Sequence, residues 1–249
     1  MKLLHLDLET TPAVVYTWAL HKQDISVDQV ITPPSILCFS AKWHGEATHI
    51  FHRALKRDGM EFNSMIRAAH KLLCDAEAVC HYNGTTFDIP RLNQEFLRLG
   101  LKPPPPLIEI DLLNVVRKKF GMLSNKLAFV GPYLQVGEKV KHAGWALWVG
   151  CLKGDAECWR LMELYNRQDV ALLERLYTKL LPWIDGHPNM NLFVDEREPV
   201  CPNCAGKKLQ RRGERVAMTY LYARYQCKDC GRWSRARLRE KFIKPAEVR

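Results

Sequence analysis

The chain has 249 residues, 47% apolar and 26% charged, with 37 Lys and Arg against 27 Asp and Glu, a formal net charge of +10. That length and composition suit one large globular domain, or one domain with a small module, and exclude collagen-like, disordered and disulfide-dense small-scaffold classes. No run of about 18 uncharged apolar residues occurs, and Met1-Lys2-Leu3-Leu4-His5-Leu6-Asp7 reaches an acid before any signal-like segment develops, so the sequence reads as a soluble, cytoplasmic protein with no membrane partner.

Leu4, Leu6 and Leu8 alternate over residues 3–8 and predict a first strand, stopped by Thr10-Thr11-Pro12. Residues 35–43 and 47–52, joined by a turn at His44-Gly45, extend it to a three-stranded meander. Phe62, Met65, Ile66, Ala69, Leu72 and Leu73 have helical spacing over 61–74, and 78–82 is a short strand ending at Asn83-Gly84. Residues 89–99 predict a helix, with Pro90 tolerated in the first turn and Gly100 as the stop. Beyond Pro103–Pro106 come a strand at 107–110 and helices at 112–120 and 124–134, whereas Gly137, Gly144, Gly150 and Gly154 mark 135–154 as a loop. Residues 156–181 carry the longest helical pattern, closed by Pro182. Strands followed by strand–helix alternation predict an α/β domain over 1–183, a linker at 184–198 and a separate module at 199–249.

The charge is lopsided. Residues 196–249 hold 15 Lys and Arg against 6 Asp and Glu, a net +9 that leaves +1 for the rest. Such a segment is the footprint of a nucleic-acid-binding module, because each cation that neutralises a phosphate releases a counterion; the plain alternative is a solvated basic tail.

Asp7 and Glu9 are two apart on the first strand, so they share the face opposite the leucines. Asp88 follows Asn83-Gly84-Thr85-Thr86-Phe87 at a strand-to-helix turn, where helix capping is the plain alternative. Tyr165 and Asp169 are one turn apart on the longest helix and could alternatively be surface residues. Asp111 and Asp155 have cheaper strand-end and N-cap roles, and His5, His81 and His142 show no ligand spacing and read as structural. Cys38, Cys74, Cys80, Cys151 and Cys158 read as reduced core residues.

In order, Asp-x-Glu, Asn-Gly-x-x-Phe-Asp-x-Pro and Tyr-x-x-x-Asp resemble the three motifs of the DEDD-superfamily 3′–5′ exonucleases, tyrosine subtype, which have an RNase H-like fold and include the proofreading domains of family B DNA polymerases. The resemblance covers roughly residues 3–180. It implies an RNase H-like mixed sheet flanked by helices, with Asp7, Glu9, Asp88 and Asp169 holding two Mg²⁺ or Mn²⁺ ions. By the same resemblance, Asp7 bridges the ions, Glu9 and Asp169 complete the water-activating site, and Asp88 holds the second ion through water. Tyr165 orients the water, and Asn83 and Phe87 contact the terminal nucleotide or support Asp88. The chemistry agrees: hard cations prefer oxygen ligands, and a cation pair neutralises both the attacking and the leaving oxygen of a phosphodiester.

Near the C-terminus, Cys201-Pro202-Asn203-Cys204 and Cys227-Lys228-Asp229-Cys230 are separated by 22 residues, with Gly206 and Gly231 placed for tight turns. The paired spacing fits one zinc ion held tetrahedrally by all four cysteines, and four thiolates leave no open position, so the zinc is structural; disulfides or a redox pair are the alternatives. Residues 216–226 alternate as a β-hairpin would, and the segment resembles a zinc ribbon. Arg211, Arg212, Arg215, Arg224, Arg232, Arg235, Arg237, Arg239 and Lys241, interleaved with tyrosines and Trp233, suit a phosphate backbone and stacked single-strand bases. Arg211, Arg212, Arg232, Trp233 and Arg235 are the candidate contacts.

Together these features predict a metal-dependent 3′–5′ exonuclease tethered to a basic zinc ribbon, with single-stranded DNA as the favoured substrate and RNA left open. No polymerase-sized segment follows, so a polymerase or other replication or repair partner would be a separate chain. The alternatives are a structure-selective RNase H-like endonuclease, suggested by the Gly-rich 135–154 stretch, and a non-catalytic nucleic-acid-binding protein acting through the zinc ribbon.

Overall fold

β1 (Leu3–Thr10) is followed by the short strands β2 (Val14–Val15) and β3 (Val30–Thr32), then β4 (Ile36–Trp43) and β5 (Ile50–Arg53). Next come α1 (Met60–Asp75), β6 (Ala78–His81), α2 (Asp88–Arg98), β7 (Ile108–Asp111), α3 (Leu112–Lys119), α4 (Leu127–Tyr133), α5 (Trp145–Leu152) and α6 (Ala156–Leu180). This computed structural model describes every residue except 58, 142–143, 195–198, 218–219, 237–240 and 243–249, and only the backbone of 241–242. The chain divides into two compact units, Lys2–Leu176 and Tyr177–Arg249 with Met1. Among the described residues no helix is long and apolar enough to cross a membrane.

In the first unit the strands lie in the order β5-β4-β1-β6-β7. The β5–β4 and β4–β1 pairs are antiparallel, as short connections allow, while β1–β6 and β6–β7 are parallel. Parallel neighbours need crossovers, and α2 supplies the one between β6 and β7. The β1–β6 ladder covers only Leu3, Leu4 and His5, whereas pairing with β4 continues to Thr10.

Both faces of the sheet are covered, which is why Ile36 to Lys42 of β4 are buried without alternation. On one face Leu4, Leu6, Leu8 and Val79 pack with Phe62, Met65 and Ile66 of α1 and with Leu92 and Phe96 of α2. On the other, Leu37 and Cys38 pack with Leu147 and Cys151 of α5 and with Trp159, Met162 and Tyr165 of α6. Each such side chain removed from water contributes about 1.5–3 kcal/mol. The five scattered cysteines are all free thiols.

The expected loop over 135–154 needs correction, because α5 lies within it. Its sequence Trp-Ala-Leu-Trp-Val-Gly-Cys-Leu is apolar on nearly every side, so no 3.6-residue period stands out. Gly150 marks close packing instead of a loop, since a Cβ there would lie 2.1 Å from the Cys158 sulfur on α6.

The second unit holds the final turn of α6 from Tyr177 onward and a small sheet of β8 (Leu209–Ala217), β9 (Tyr220–Cys227), β10 (Trp233–Arg235) and β11 (Lys241–Phe242). β9 pairs antiparallel with β8 on one side and with β10 and β11 on the other. The hairpin is therefore longer than the 216–226 stretch whose alternation suggested it. From residue 199 onward, the buried apolar residues among those described are Val200, Cys201, Ala223 and Cys227.

Candidate functional site

The alternation of β1 turns Asp7 and Glu9 away from the leucine face, toward α6. One carboxylate oxygen from each of Asp7, Glu9 and Asp169 lies within 4.8 Å of the others. Tyr165, one turn before Asp169, is buried, so the pair is not ordinary helix surface. Asp88 is buried at the start of α2 outside that tight group, and its Oδ1 accepts the Leu8 N–H at 2.9 Å. Its side chain thus reaches across to β1 in place of capping its own helix.

The electrostatics show a site short of positive charge. Burial, then Glu9, Asp169 and Asp88, hold the Asp7 carboxyl well above the usual range. Burial also pushes Glu9 up to about 8, with Asp169 and Asp88 reinforcing and Lys139 opposing. Asp88 is raised to about 6 by burial, partly offset by the Leu8 N–H. Like carboxylates in a desolvated space favour protonation unless a cation joins them. The Lys139 ammonium already approaches, donating to Asp169 Oδ2 at 2.6 Å and to the Tyr165 hydroxyl at 2.9 Å. Asn166, fully buried on α6, donates from Nδ2 to Asp7 Oδ2 at 2.7 Å. Burial, Asp169 and Glu9 raise the Tyr165 phenol above its ordinary value. An all-oxygen donor set of this kind fits Mg²⁺ or Mn²⁺.

The turn before Asp88 is locked from below. Asn83 takes φ +73°, and its N–H donates to Asp111 Oδ1 at 2.9 Å. A Cβ at Gly84 would meet the His81 ring at 2.3 Å, so this close approach requires glycine. Asp111 ends β7, the strand-end position expected of it, and also caps α3 through the Leu113 N–H. Phe87 is half-buried, with the Arg91 guanidinium 4.4 Å from its ring centroid. Past Glu9, a cleft of about 370 Å³ is lined by Thr10, Thr11, Pro12, Gly144, Trp145 and Trp148. The Trp148 ring stands edge-on to Tyr165, with centroids 6.1 Å apart.

In the second unit, one sulfur from each of Cys201, Cys204, Cys227 and Cys230 lies within 4.8 Å of the other three. The Cys201–Cys230 and Cys204–Cys227 separations are both 3.7 Å. Sulfurs about 2.3 Å from a tetrahedral zinc stand about 3.8 Å apart, so the cluster fits that ion. The Asn203 and Gly206 N–H groups each donate to a cysteine sulfur at 3.4 Å. One expectation is corrected: Gly231 turns left-handed at φ +80°, but in the first knuckle Ala205 does so at +57°, not Gly206. Gly206 instead leaves room for Asp229, whose Oδ2 would lie 2.3 Å from an added Cβ.

Arg211 and Arg212 are exposed on β8, and Trp233 and Arg235 on β10. The Arg224 guanidinium lies 4.8 Å from the Trp233 ring, and that of Arg235 lies 4.0 Å from Tyr222. Arg232 is engaged locally, donating to the Pro182 carbonyl at 2.6 Å. Arg237, Arg239, the Lys241 side chain and His142 lie outside the described residues.

A family model described as the RNase_H superfamily matches residues 32–181. The chain belongs to the RNase H superfamily. The matched span holds Asp88, Tyr165 and Asp169 and begins after Asp7 and Glu9. A family B DNA polymerase from the hyperthermophilic archaeon Pyrobaculum calidifontis is similar in structure, with a TM-score of 0.54 and 19% identity over 73% of this chain. The match spans 24% of the polymerase chain, and at that identity the likeness is one of fold. No curated protein matches the sequence.

Within this RNase H superfamily chain, reading the sequence alone missed Lys139, Asn166, Trp145 and Trp148. Asn166 follows Tyr165 directly, so its only signal was a polar residue on the inner face of an apolar helix. Lys139, Trp145 and Trp148 fall in the Gly-rich stretch taken for a loop.

Proposed function

We propose that the chain is a metal-dependent 3′–5′ exonuclease acting on single-stranded 3′ ends, with DNA favoured over RNA. The reading rests on the convergence of Asp7, Glu9 and Asp169 within 4.8 Å, beside Asp88 and Tyr165, in an RNase H superfamily fold. Two Mg²⁺ or Mn²⁺ ions held by these carboxylates would neutralise charge on the attacking and leaving oxygens of a phosphodiester. Asp7, held by Asn166, would be the central ligand, with Glu9 and Asp169 grouped with it and Asp88, which accepts the Leu8 N–H, completing the set. Tyr165 remains a protonated phenol at neutral pH, so it orients the attacking water by hydrogen bonding and does not remove its proton. Asn83 and Phe87 sit before Asp88, where they support the turn and meet the terminal nucleotide. The Trp145 and Trp148 cleft suits the terminal base, since aromatic faces accept any base.

In this reading residues 1–183 are the nuclease domain and 184–198 the linker. Residues 199–249 form a zinc ribbon around one structural Zn²⁺ on Cys201, Cys204, Cys227 and Cys230, and Arg211, Arg212, Arg232, Trp233 and Arg235 hold the substrate strand. The protein works in the cytoplasm, and a separate polymerase or repair protein is its expected partner.

The test is hydrolysis of end-labelled single-stranded DNA, matched RNA, duplex and circular single strands, with and without Mg²⁺ or Mn²⁺. Shortening from the 3′ end, absent on the circle and lost in Asp7→Asn, is the expected result. Cleavage of the circle would replace the exonuclease with an endonuclease, and binding without cleavage would move the function to the basic module.

A further inference from the structure

A second cluster of ligand-type side chains lies on the same face of β1 as the carboxylates. His5 is two residues before Asp7, so it projects to the same side, and it is fully buried. Its Nε2 lies 3.2 Å from Nδ1 of His44 in the β4–β5 turn. His44 Nδ1 lies 3.4 Å from Oε1 of Glu174 on α6, and one donor atom from each of the three lies within 4.8 Å of the other two. Zinc holds imidazole nitrogen and carboxylate oxygen at about 2.0–2.2 Å, which places neighbouring ligand atoms of a tetrahedron about 3.3–3.5 Å apart. The His5–His44 and His44–Glu174 separations are close to that length.

The carboxylate is also oriented from outside, as ligating carboxylates are. The Gly45 N–H donates to Oε1 at 2.7 Å, and the Lys42 ammonium pairs with Oε2, leaving Oε1 toward the imidazoles. His49 lies in the same electrostatic neighbourhood, with Lys42, Arg167 and Glu174 as its charged neighbours.

We infer that His5, His44 and Glu174 form a binding site for a first-row transition dication of the zinc class, with solvent in the fourth position on the exposed His44 side. Two imidazoles and one carboxylate select such an ion over Mg²⁺, unlike the all-oxygen set at Asp7. The ion would tie β1, the β4–β5 turn and α6 together, two residues from Asp7 and five from Asp169. The inference goes beyond the exonuclease reading and stands or falls separately from it.

Cobalt is the probe, because thiolate ligation gives intense near-ultraviolet absorption that nitrogen and oxygen ligands do not. The full chain, loaded with Co²⁺ in excess Mg²⁺ and desalted, should retain two equivalents. Replacing Cys201, Cys204, Cys227 and Cys230 together by Ser should remove the thiolate band and keep one equivalent with visible bands of a nitrogen and oxygen site. In that background His44→Ala, a change at an exposed residue, should weaken the remaining ion at least about tenfold, and Glu174→Gln should do the same. Asp7→Asn should leave it in place. The inference is overturned if the variant lacking all four of those cysteines retains no cobalt, if His44→Ala and Glu174→Gln bind as tightly as their parent, or if Asp7→Asn alone releases the ion. An unchanged ion would reduce the cluster to a histidine–histidine hydrogen bond beside a Lys42–Glu174 pair.

Discussion

The carboxylate centre and the cysteine cluster both have donor sets that suit cations, but they stand in opposite relation to the chain around them. Asp7 and Glu9 project from a strand whose other face is locked into a two-helix core, and Asp169 comes from a 25-residue helix. That frame holds three repelling carboxylates together, with Lys139 offsetting part of their charge. The cysteine module has four buried apolar residues among those described from residue 199 onward, and two of them are cysteines. There a bound ion would take the place of a core. On the proposed reading the fold of the first unit would position its metal, whereas in the second unit a metal would position the fold.

Removing each cation should therefore have different consequences, the largest in the second unit. Cys227→Ser, or a strong zinc chelator, should abolish cooperative folding of that unit, since structural zinc supplies an apparent ~10–16 kcal/mol in comparable small modules. Proteolysis and amide exchange should show residues 199–236 unprotected while the first unit keeps its melting transition. A melted first unit would break the contrast. Asp7→Asn should do the reverse, lowering turnover by about 10⁴-fold, the scale of losing an essential group. Calorimetry without Mg²⁺ should show an unchanged or higher melting temperature, because a desolvated carboxyl crowded by Glu9, Asp169 and Asp88 is gone.

Lys139→Met tests how much of the offset comes from that ammonium. Breaking a buried pair costs about 3–5 kcal/mol, and a lysine side chain 29% exposed should fall at the low end. The loss should appear without divalent ions and shrink on adding Mg²⁺, so the Mg²⁺-induced rise in melting temperature should exceed that of the parent. An equal rise would mean that Lys139 does not share the cation's place.

A further expected effect is in pH. Glu9 is held at about 8 against an ordinary 4.5, with Asp169 and Asp88 reinforcing burial and Lys139 opposing. Between those values the folded, metal-free protein keeps a proton that the unfolded chain has lost. Its stability should therefore fall as pH rises from 4.5 to 8. Glu9→Gln should flatten that slope in melting curves recorded without Mg²⁺ or Mn²⁺.

The sheet and the acidic residues were legible because both rest on short-range regularity. Alternation in residues 3–8 placed Asp7 and Glu9 on one face, and a four-residue spacing placed Tyr165 with Asp169. The paired knuckles carried the cysteine cluster in the same way. What stayed hidden depends on residues far apart in the chain. Lys139 reaches Tyr165 and Asp169 across 26 and 30 residues. His5, His44 and Glu174 meet across 39 residues and then most of the domain, so their spacing gives no ligand pattern. α5 was lost for a different reason: a helix apolar on nearly all sides has no polar face to show its period, and its glycine marked packing against Cys158.

The hydrogen bond from the Leu8 N–H to Asp88 gives that residue two employers. Strand β6 leaves the side of β1 after His5, and the Asp88 carboxylate fills part of the gap as an acceptor in a seam between backbone segments. The break in the β1–β6 pairing and the carboxylate that seals it are thus one construction. Asp88→Ala removes an architectural prop along with a charge, whereas Asp88→Asn can keep the acceptor and lose only the charge. The difference between the two variants isolates what the opening costs the sheet.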